Sequence, residues 1–358
     1  MELPPQLKRA QLRLFFSVDL VGSTSFKQSS SNNSFKSNDN WRVAISSFFI
    51  DFDKAIGVSW SDSIKRLKTC SPHLENSKPT FWKGAGDEAL YYVEIQSYEE
   101  VLLSIYAFIQ AVKSVRIELR KTYSLDLKAT SWLAGFPINN HSFCMGDKSY
   151  RKQCFPDLTD FDKFDDHFIS TTADLCAYYT PSIKQNLHLD FVGPQIDLGF
   201  RLTALSSPRK MVISVDLAWL LVSTIKELKR DWPGDFNLAE HIFMEERVNL
   251  KGVLSGTRYP LIWIDVLFDD EFHALESKTL NKSPADPDTL CEYCSAFINR
   301  MHKDHDWMIK PYVVDSKGDL DICEQPQNHK EHLAEHIERS KDALAMLGDT
   351  AQDTVTPT

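Results

Sequence analysis

FWKGAGDEALYY, Phe81 to Tyr92, holds two strand-like apolar runs on either side of a Gly-Ala-Gly turn. A hairpin is expected here, because glycine supplies backbone angles that a tight turn needs and other residues resist. Asp87 and Glu88 open the second run, and Lys83 stands four residues before Asp87. Taken alone, such charges are an ordinary solvated corner. Their meaning depends on what the fold sets beside them.

Working outward, LRLFFSVDLVG (Leu12 to Gly22) reads as a buried strand, ended by Gly22 and the hydroxyl pair Ser23-Thr24. Helical apolar spacing runs from Trp41 to Ile56 and, strongly, from Tyr98 to Arg120. The hairpin covers Thr80 to Ile95, and Leu127 to Ile138 is a further strand. The order β-α-β-β-α-β predicts an α+β fold of the ferredoxin-like kind, an antiparallel sheet with helices on one face. Thr172 to Leu187 and Ile196 to Leu205 read as helices, and Leu189 to Val192, Lys210 to Val215 and Tyr259 to Phe268 as strands. KQSSSNNSFKSNDN is too polar for core and predicts a loop. A long irregular insertion carrying FPDLTDFDKFDDHF is expected after Ile138. Its aspartate run lacks the glycine and terminal glutamate of a calcium loop. Near residue 270 the character changes. SPADPD is a breaker, polar helix follows, and GDTAQDTVTPT predicts a disordered tail. The expected division is 1–270 for the main domain and 271–358 for a helical C-terminal extension.

With 42% hydrophobic and 25% charged residues, the chain is of globular composition. Its net charge of −10 and lack of a basic stripe argue against a nucleic-acid partner. Seven cysteines without disulfide-like spacing fit reduced thiols. The N-terminal residues have no apolar segment of the signal-peptide type. The longest apolar run, Met211 to Ile225, is short for a bilayer and contains Asp216. No membrane association is expected, and a cytoplasmic location is.

In this layout the first strand and the hairpin are neighbours, so Asp19 and Asp87 can meet at their ends. Paired carboxylates suit Mg²⁺ or Mn²⁺, which take hard oxygen ligands together with phosphate oxygens, and two ions can share such a pair. Gly22, Ser23 and Thr24 follow Asp19, where backbone N–H groups and hydroxyls can cradle phosphates. Each piece also has a structural reading, as a cap, a turn or a corner. The combination on these elements favours chemistry.

FSVDLVGST, KGAGDE and LDFVGPQIDLGFRL (Leu189 to Leu202) together resemble the motifs of the class III nucleotidyl cyclases, in their order and spacing, across most of Leu12 to Phe268. The resemblance implies that residues 1–270 are a cyclase catalytic domain. In it Asp19, Asp87 and the Leu20 carbonyl hold two Mg²⁺ or Mn²⁺ ions, and Lys83 and Asp190 read the base edge. Arg201 stabilises charge at the α-phosphate, and Lys251, in NLKG, corresponds to a triphosphate-binding lysine. Asp197 stands where the family has asparagine, and an ionised carboxylate cannot donate to a ribose as an amide does. A homodimer with two equivalent shared sites is implied, because one chain carries both residue sets.

A lysine and an aspartate offer one donor and one acceptor, which adenine, cytosine and uracil all match. The chain further resembles the pyrimidine cyclases of the bacterial Pycsar anti-phage system, which implies conversion of UTP to 3′,5′-cyclic UMP and pyrophosphate. Cyclic CMP from CTP is the alternative. A smaller base needs a smaller pocket, and Trp41, Phe48 or Phe49 are candidates to fill the space of a purine. Other readings are an adenylate cyclase, a diguanylate-cyclase-like enzyme, for which Lys83 and the Asp190/Asp197/Arg201 series are unnecessary, and a non-catalytic nucleotide sensor. Cys291 and Cys294 with His302 and His305 read as one helix, along which four zinc ligands do not converge. His329, His332 and His336 share a helical face expected to be solvated.

Overall fold

The computed structural model describes residues 2–29, 41–67, 74, 77–154, 167–228, 237–315 and 320–353. The aspartate run of the insertion lies outside the described residues, as does most of the Ser/Asn-rich segment. In chain order the elements are β1 (Gln11–Val21), α1 (Ser23–Ser29), α2 (Trp41–Leu67), β2 (Thr80–Ala85), β3 (Glu88–Ile95), α3 (Tyr98–Tyr123) and β4 (Asp126–Phe136). Then come β5 (His141–Asp147), α4 (Tyr150–Cys154), α5 (His167–Tyr179), β6 (Asn186–Val192), α6 (Pro194–Thr203), β7 (Lys210–Ile213) and α7 (Val215–Leu228). The last are β8 (Ile242–Val248), β9 (Tyr259–Asp265), α8 (Glu271–Thr279), α9 (Pro287–Met301), β10 (Val313–Val314), β11 (Leu320–Ile322) and α10 (Gln327–Asp353).

The fold is α+β. A seven-stranded sheet has the order β2-β3-β1-β4-β7-β9-β8. Only β4 and β7 pair in parallel; the other neighbours are antiparallel. The β2-β3-β1-β4 part, with its helices between β1 and β2 and between β3 and β4, is the split βαβ order expected from the sequence. β1 lies at its centre because its side chains are buried on both faces. Leu14, Phe16, Val18 and Leu20 pack with Phe48 and Phe52 of α2 and with Ile105, Phe108 and Val112 of α3. On the opposite face Phe15 stacks on Trp132 of β4, with ring centroids 5.5 Å apart, inside a second cluster completed by Phe191 and Ile196.

That second cluster departs from a sheet with helices on one face only. β5 and β6 pair as a separate antiparallel ribbon and, with α6, cover part of the other face. The insertion therefore begins with a strand. The helix expected to run to Leu187 ends at Tyr179, ahead of Pro181, which cannot continue a helix, and β6 starts at Asn186. The apolar run from Met211 to Ile225 divides into β7 and α7.

The C-terminal segment packs on this core. Leu290, Cys294, Phe297, Ile298 and Met301 of α9 join the main cluster, while Ala343, Leu344 and Leu347 of α10 pack with Ile169, Ala173 and Cys176 of α5. Disorder is expected from Gly348; α10 continues to Asp353, and the last five residues lie outside the described ones. His329 is not on a solvated face. It is buried, with Nδ1 3.0 Å from the Tyr312 hydroxyl. No described helix is long and apolar enough to cross a membrane.

Two residues test this packing. A Cβ on Gly199 of α6 would stand 2.1 Å from Trp132. Gly199→Ala therefore overpacks the second cluster, and urea unfolding should show a loss of about 1–3 kcal/mol despite the better helix propensity of alanine. Glu100, in the first turn of α3, is fully buried, and burial lifts its carboxyl to about 7. A carboxyl raised by folding stabilises fully below its ordinary pKa, and that contribution is lost as pH rises through about 7. Thermal unfolding across pH 5–8 should show this decline, and Glu100→Gln should flatten it.

Candidate functional site

Side chains alternate along a strand, so Arg13, Phe15, Ser17 and Asp19 share the face of β1 opposite α2 and α3. Asp19 is the last acid on that face. Its register partners are Glu88 at the start of β3 and Lys128 near the start of β4. Asp87 occupies the turn just before Glu88, and its carbonyl accepts from the Leu20 amide at 3.3 Å. The strand order thus brings Asp19, Asp87 and Glu88 to one rim.

Three acids so placed repel one another unless cations intervene. Lys128 Nζ lies 3.1 Å from Asp19 Oδ2, and Lys27 Nζ 3.5 Å from Asp87 Oδ1. The Asp19 carboxyl is still raised above its ordinary pKa, mainly by burial; Lys128 opposes the shift and the charge of Asp87 adds to it. Glu88 is raised too, first by burial and then by Asp19 and Asp87, against a 2.5 Å bond from the Ser17 hydroxyl. Among the described residues no group of three or more His, Cys, Asp or Glu side chains has a metal-holding arrangement. Apart from Glu88, which Ser17 engages, the rim provides the carboxylates of Asp19 and Asp87, with the lysine ammonium groups standing against them. That hard, anionic donor set fits a cation whose remaining ligands are phosphate oxygens.

Gly22 adopts φ +90°, a left-handed angle that lets the chain turn from β1 into α1. Of the hydroxyls that follow, Ser23 is buried and donates to Asp87 Oδ2, whereas Thr24 is exposed. Ser23 thus orients the carboxylate and is not left free to meet a phosphate.

Lys83 and Asp190 meet. The β2–β3 pairing slips between Phe81 and Lys83, and a bulge of this kind re-aims side chains. Lys83 Nζ donates to Asp190 Oδ1 at 2.8 Å, and Trp82 Nε1 donates to the same oxygen at 2.9 Å. The Phe191 amide adds a third bond to Oδ1 at 2.9 Å, and among the described residues Oδ2 accepts none. Lys83 is level with Leu90 and Ser17, one step in from the row of Asp19 and Glu88. The lysine–aspartate pair and the acidic rim therefore share one face.

Asp197 and Arg201 lie one turn apart on α6, both exposed, with no partner for either among the described residues. Lys251 is not brought to the rim of its own chain. It sits in the turn between β8 and β9, and β8 is four strands from β1, roughly 19 Å at the usual spacing. The registers also put that turn at the end of the sheet remote from Asp19. A cavity of about 610 Å³ lined by Phe243, Glu245, Trp263 and Lys282 lies over β8 and β9, apart from Asp19 and Asp190.

Phe48 and Phe49, expected as candidates to narrow a base pocket, do not line this face. Phe48 is fully buried between sheet and helices. Phe49 lies beneath Gly84, on the side away from Lys83. Helical spacing located α2 but could not tell which face of the sheet it covers. Sequence reasoning also missed Trp82, Lys27 and Lys128. Trp82 had a signal in adjoining Lys83, whereas Lys128 emerges only from the β1–β4 register.

No family model matches the chain, and no curated protein does. Among solved structures it is similar to the adenylyl cyclase CyaB of P. aeruginosa, at 10% identity over 72% of this chain and 94% of that one, with a TM-score of 0.43. It is also similar to the guanylate cyclase domain of RhGC from Catenaria anguillulae in complex with GTP, at 12% identity over 72% and 97%, with a TM-score of 0.39. A bacterial light-regulated adenylyl cyclase gives 9% identity over 72% and 92%, with a TM-score of 0.40.

Lys128→Ala should leave Asp19 and Glu88 facing each other without their shared cation. Chemical denaturation at neutral pH should then show a loss of roughly 1 kcal/mol, since the pair is only about one quarter exposed.

Proposed function

We propose that the protein is a nucleotidyl cyclase that converts UTP to 3′,5′-cyclic UMP and pyrophosphate, with CTP as the alternative substrate. Asp19 and Asp87, with the Leu20 carbonyl, hold two Mg²⁺ or Mn²⁺ ions. The observation that carries this reading is the convergence of Asp19 and Asp87 at one rim, with Lys83 and Asp190 paired as a separate base-reading set. Asp19 and Asp87 would hold the ions, and bound there Mg²⁺ or Mn²⁺ would neutralise the triphosphate and lower the pKa of the attacking hydroxyl.

The chain's own residues act mainly by position. Lys83 and the free oxygen of Asp190 give one donor and one acceptor to the base edge. The ribose 3′-oxygen attacks the α-phosphorus in line. Its bond to phosphorus forms as the bond to the bridging oxygen breaks, pyrophosphate departs, and the hydroxyl proton passes to solvent or to the leaving phosphate. Arg201 meets the charge growing at the α-phosphate, a contribution of the preorganised electrostatic kind. The metal carboxylates come from one protomer and the base-reading and arginine groups from its partner: Asp197 and Arg201 are exposed and Lys251 is remote from its own rim, so with Lys83 and Asp190 they serve the rim of the other chain. The active unit is accordingly a two-fold homodimer with two shared sites. Residues 1–270 carry the chemistry, in a cytoplasmic anti-phage signalling role, and α9 and α10 of the C-terminal extension brace it.

A second reading, a nucleotide sensor without turnover, draws on Lys128 against Asp19 and on the carboxylate of Asp197. The two readings separate in one assay. Purified protein with Mn²⁺ and each of ATP, GTP, CTP and UTP is analysed by mass for a cyclic product and pyrophosphate. Cyclic UMP or cyclic CMP is expected, and no product from any of the four would leave only the sensor. Asp19→Ala and Asp87→Ala should each cut turnover by roughly a hundredfold or more with the circular dichroism spectrum unchanged. Full activity in both would end the assignment.

A further inference from the structure

Hydrogen bonding does not by itself select a pyrimidine. One donor and one acceptor accept adenine as readily as uracil or cytosine, so any preference for a single-ring base has to come from shape. With Phe48 and Phe49 on the other side of the sheet, another bulky group must supply it.

We infer that Trp82 is the specificity-determining residue of the base site, its indole ring reserving that site for a single-ring base; this rests on the cyclase reading above. The indole touches both base-reading groups. Its Nε1 donates to Asp190 Oδ1 at 2.9 Å, and the Lys83 ammonium lies 4.2 Å from its ring centroid. The ring is also wedged. Its centroid is 5.3 Å from that of Phe15, 5.1 Å from Phe191 and 6.0 Å from Phe200. Phe200 immediately precedes Arg201 on α6, so the indole stands between the base-reading pair and the helix of the phosphate-facing arginine. Held by three aromatic neighbours and a hydrogen bond, it cannot swing aside for a second ring.

The same contacts give Trp82 a second task. With three donors on Oδ1, Asp190 is locked, and Oδ2 is left as the acceptor for a base N–H. Shape and polarity are therefore separable by substitution. Trp82→Phe keeps an aromatic ring and removes the N–H. Trp82→Ala removes both.

The experiment measures kcat/KM for UTP, CTP and ATP with Mn²⁺ in wild type and both variants, with near-ultraviolet circular dichroism as the check on folding. Wild type should prefer a pyrimidine. Trp82→Ala should raise the ATP-to-UTP ratio by about tenfold or more, the range over which pocket shape discriminates. Trp82→Phe should keep the pyrimidine preference while lowering kcat/KM for UTP and CTP together. If Trp82→Ala does not fold, Trp82→Leu, which fills less of the space, should shift the ratio in the same direction. An unmoved ratio in a folded, active variant overturns the inference and leaves the cyclase reading standing. So does a wild type that already turns over ATP as readily as UTP. A wild type that forms no cyclic product from any triphosphate overturns the cyclase reading, and this inference with it.

Discussion

The constraint on which the structure turns is like charge gathered at one rim. Asp19, Asp87 and Glu88 come together because β1 pairs with β3 over eight register positions, and the turn of the hairpin is tied back to Leu20. Among the described residues Lys128, Lys27, the Leu20 amide and the Ser17 and Ser23 hydroxyls relieve the mutual repulsion. A fold selected for stability alone gains nothing from such a cluster, since uncompensated buried charge is unfavourable. Its presence at the end of a strand packed on both faces is what gives the rim a chemical character.

The rest of the face is built to hold that rim still. β1 is packed on both sides, so its register cannot slip without moving every side chain to the wrong face. Arg13, two residues before Phe15 on the same side, is sheltered between Phe136 and Phe191, with its guanidinium 4.5 and 4.8 Å from their ring centroids. Gly199 lets α6 press against Trp132, which in turn stacks on Phe15. The aromatic cluster thereby joins α6, β6 and the hairpin into one rigid surface. Asp190, Lys83 and Trp82 stand on it as a unit, and Asp197 and Arg201 project from its edge.

Much of this was legible in the residues. The hairpin at Gly84–Gly86, the buried strand carrying Asp19 near its end and the long helix from Tyr98 follow from turn chemistry and periodicity, which are local properties of the chain. So does the pairing order, because a split βαβ arrangement leaves few alternatives. Of the β5–β6 ribbon only Leu189 to Val192 was legible; β5 lies far from it in the chain, and local pattern does not show that the two pair. The face covered by α2 was not legible either. Periodicity says that one side of a helix is apolar; it does not say which side of a sheet will receive it, and so Phe48 and Phe49 read as candidates for a pocket they do not line.

By itself, the sequence determined which residue types stand at which strand ends: an acid near the end of the first strand and another in the hairpin turn, a lysine ahead of that turn, and an Asp-x-x-Gly segment ahead of a helix. Only the tertiary structure decided their company. Lys128 reaches Asp19 through strand register, Trp82 reaches Asp190 through a bulge, and Lys251 is carried to the far end of the sheet by the order of its strands. The physical reason is that local propensity acts over a few residues, whereas contacts between distant segments are set by which surfaces can be buried together.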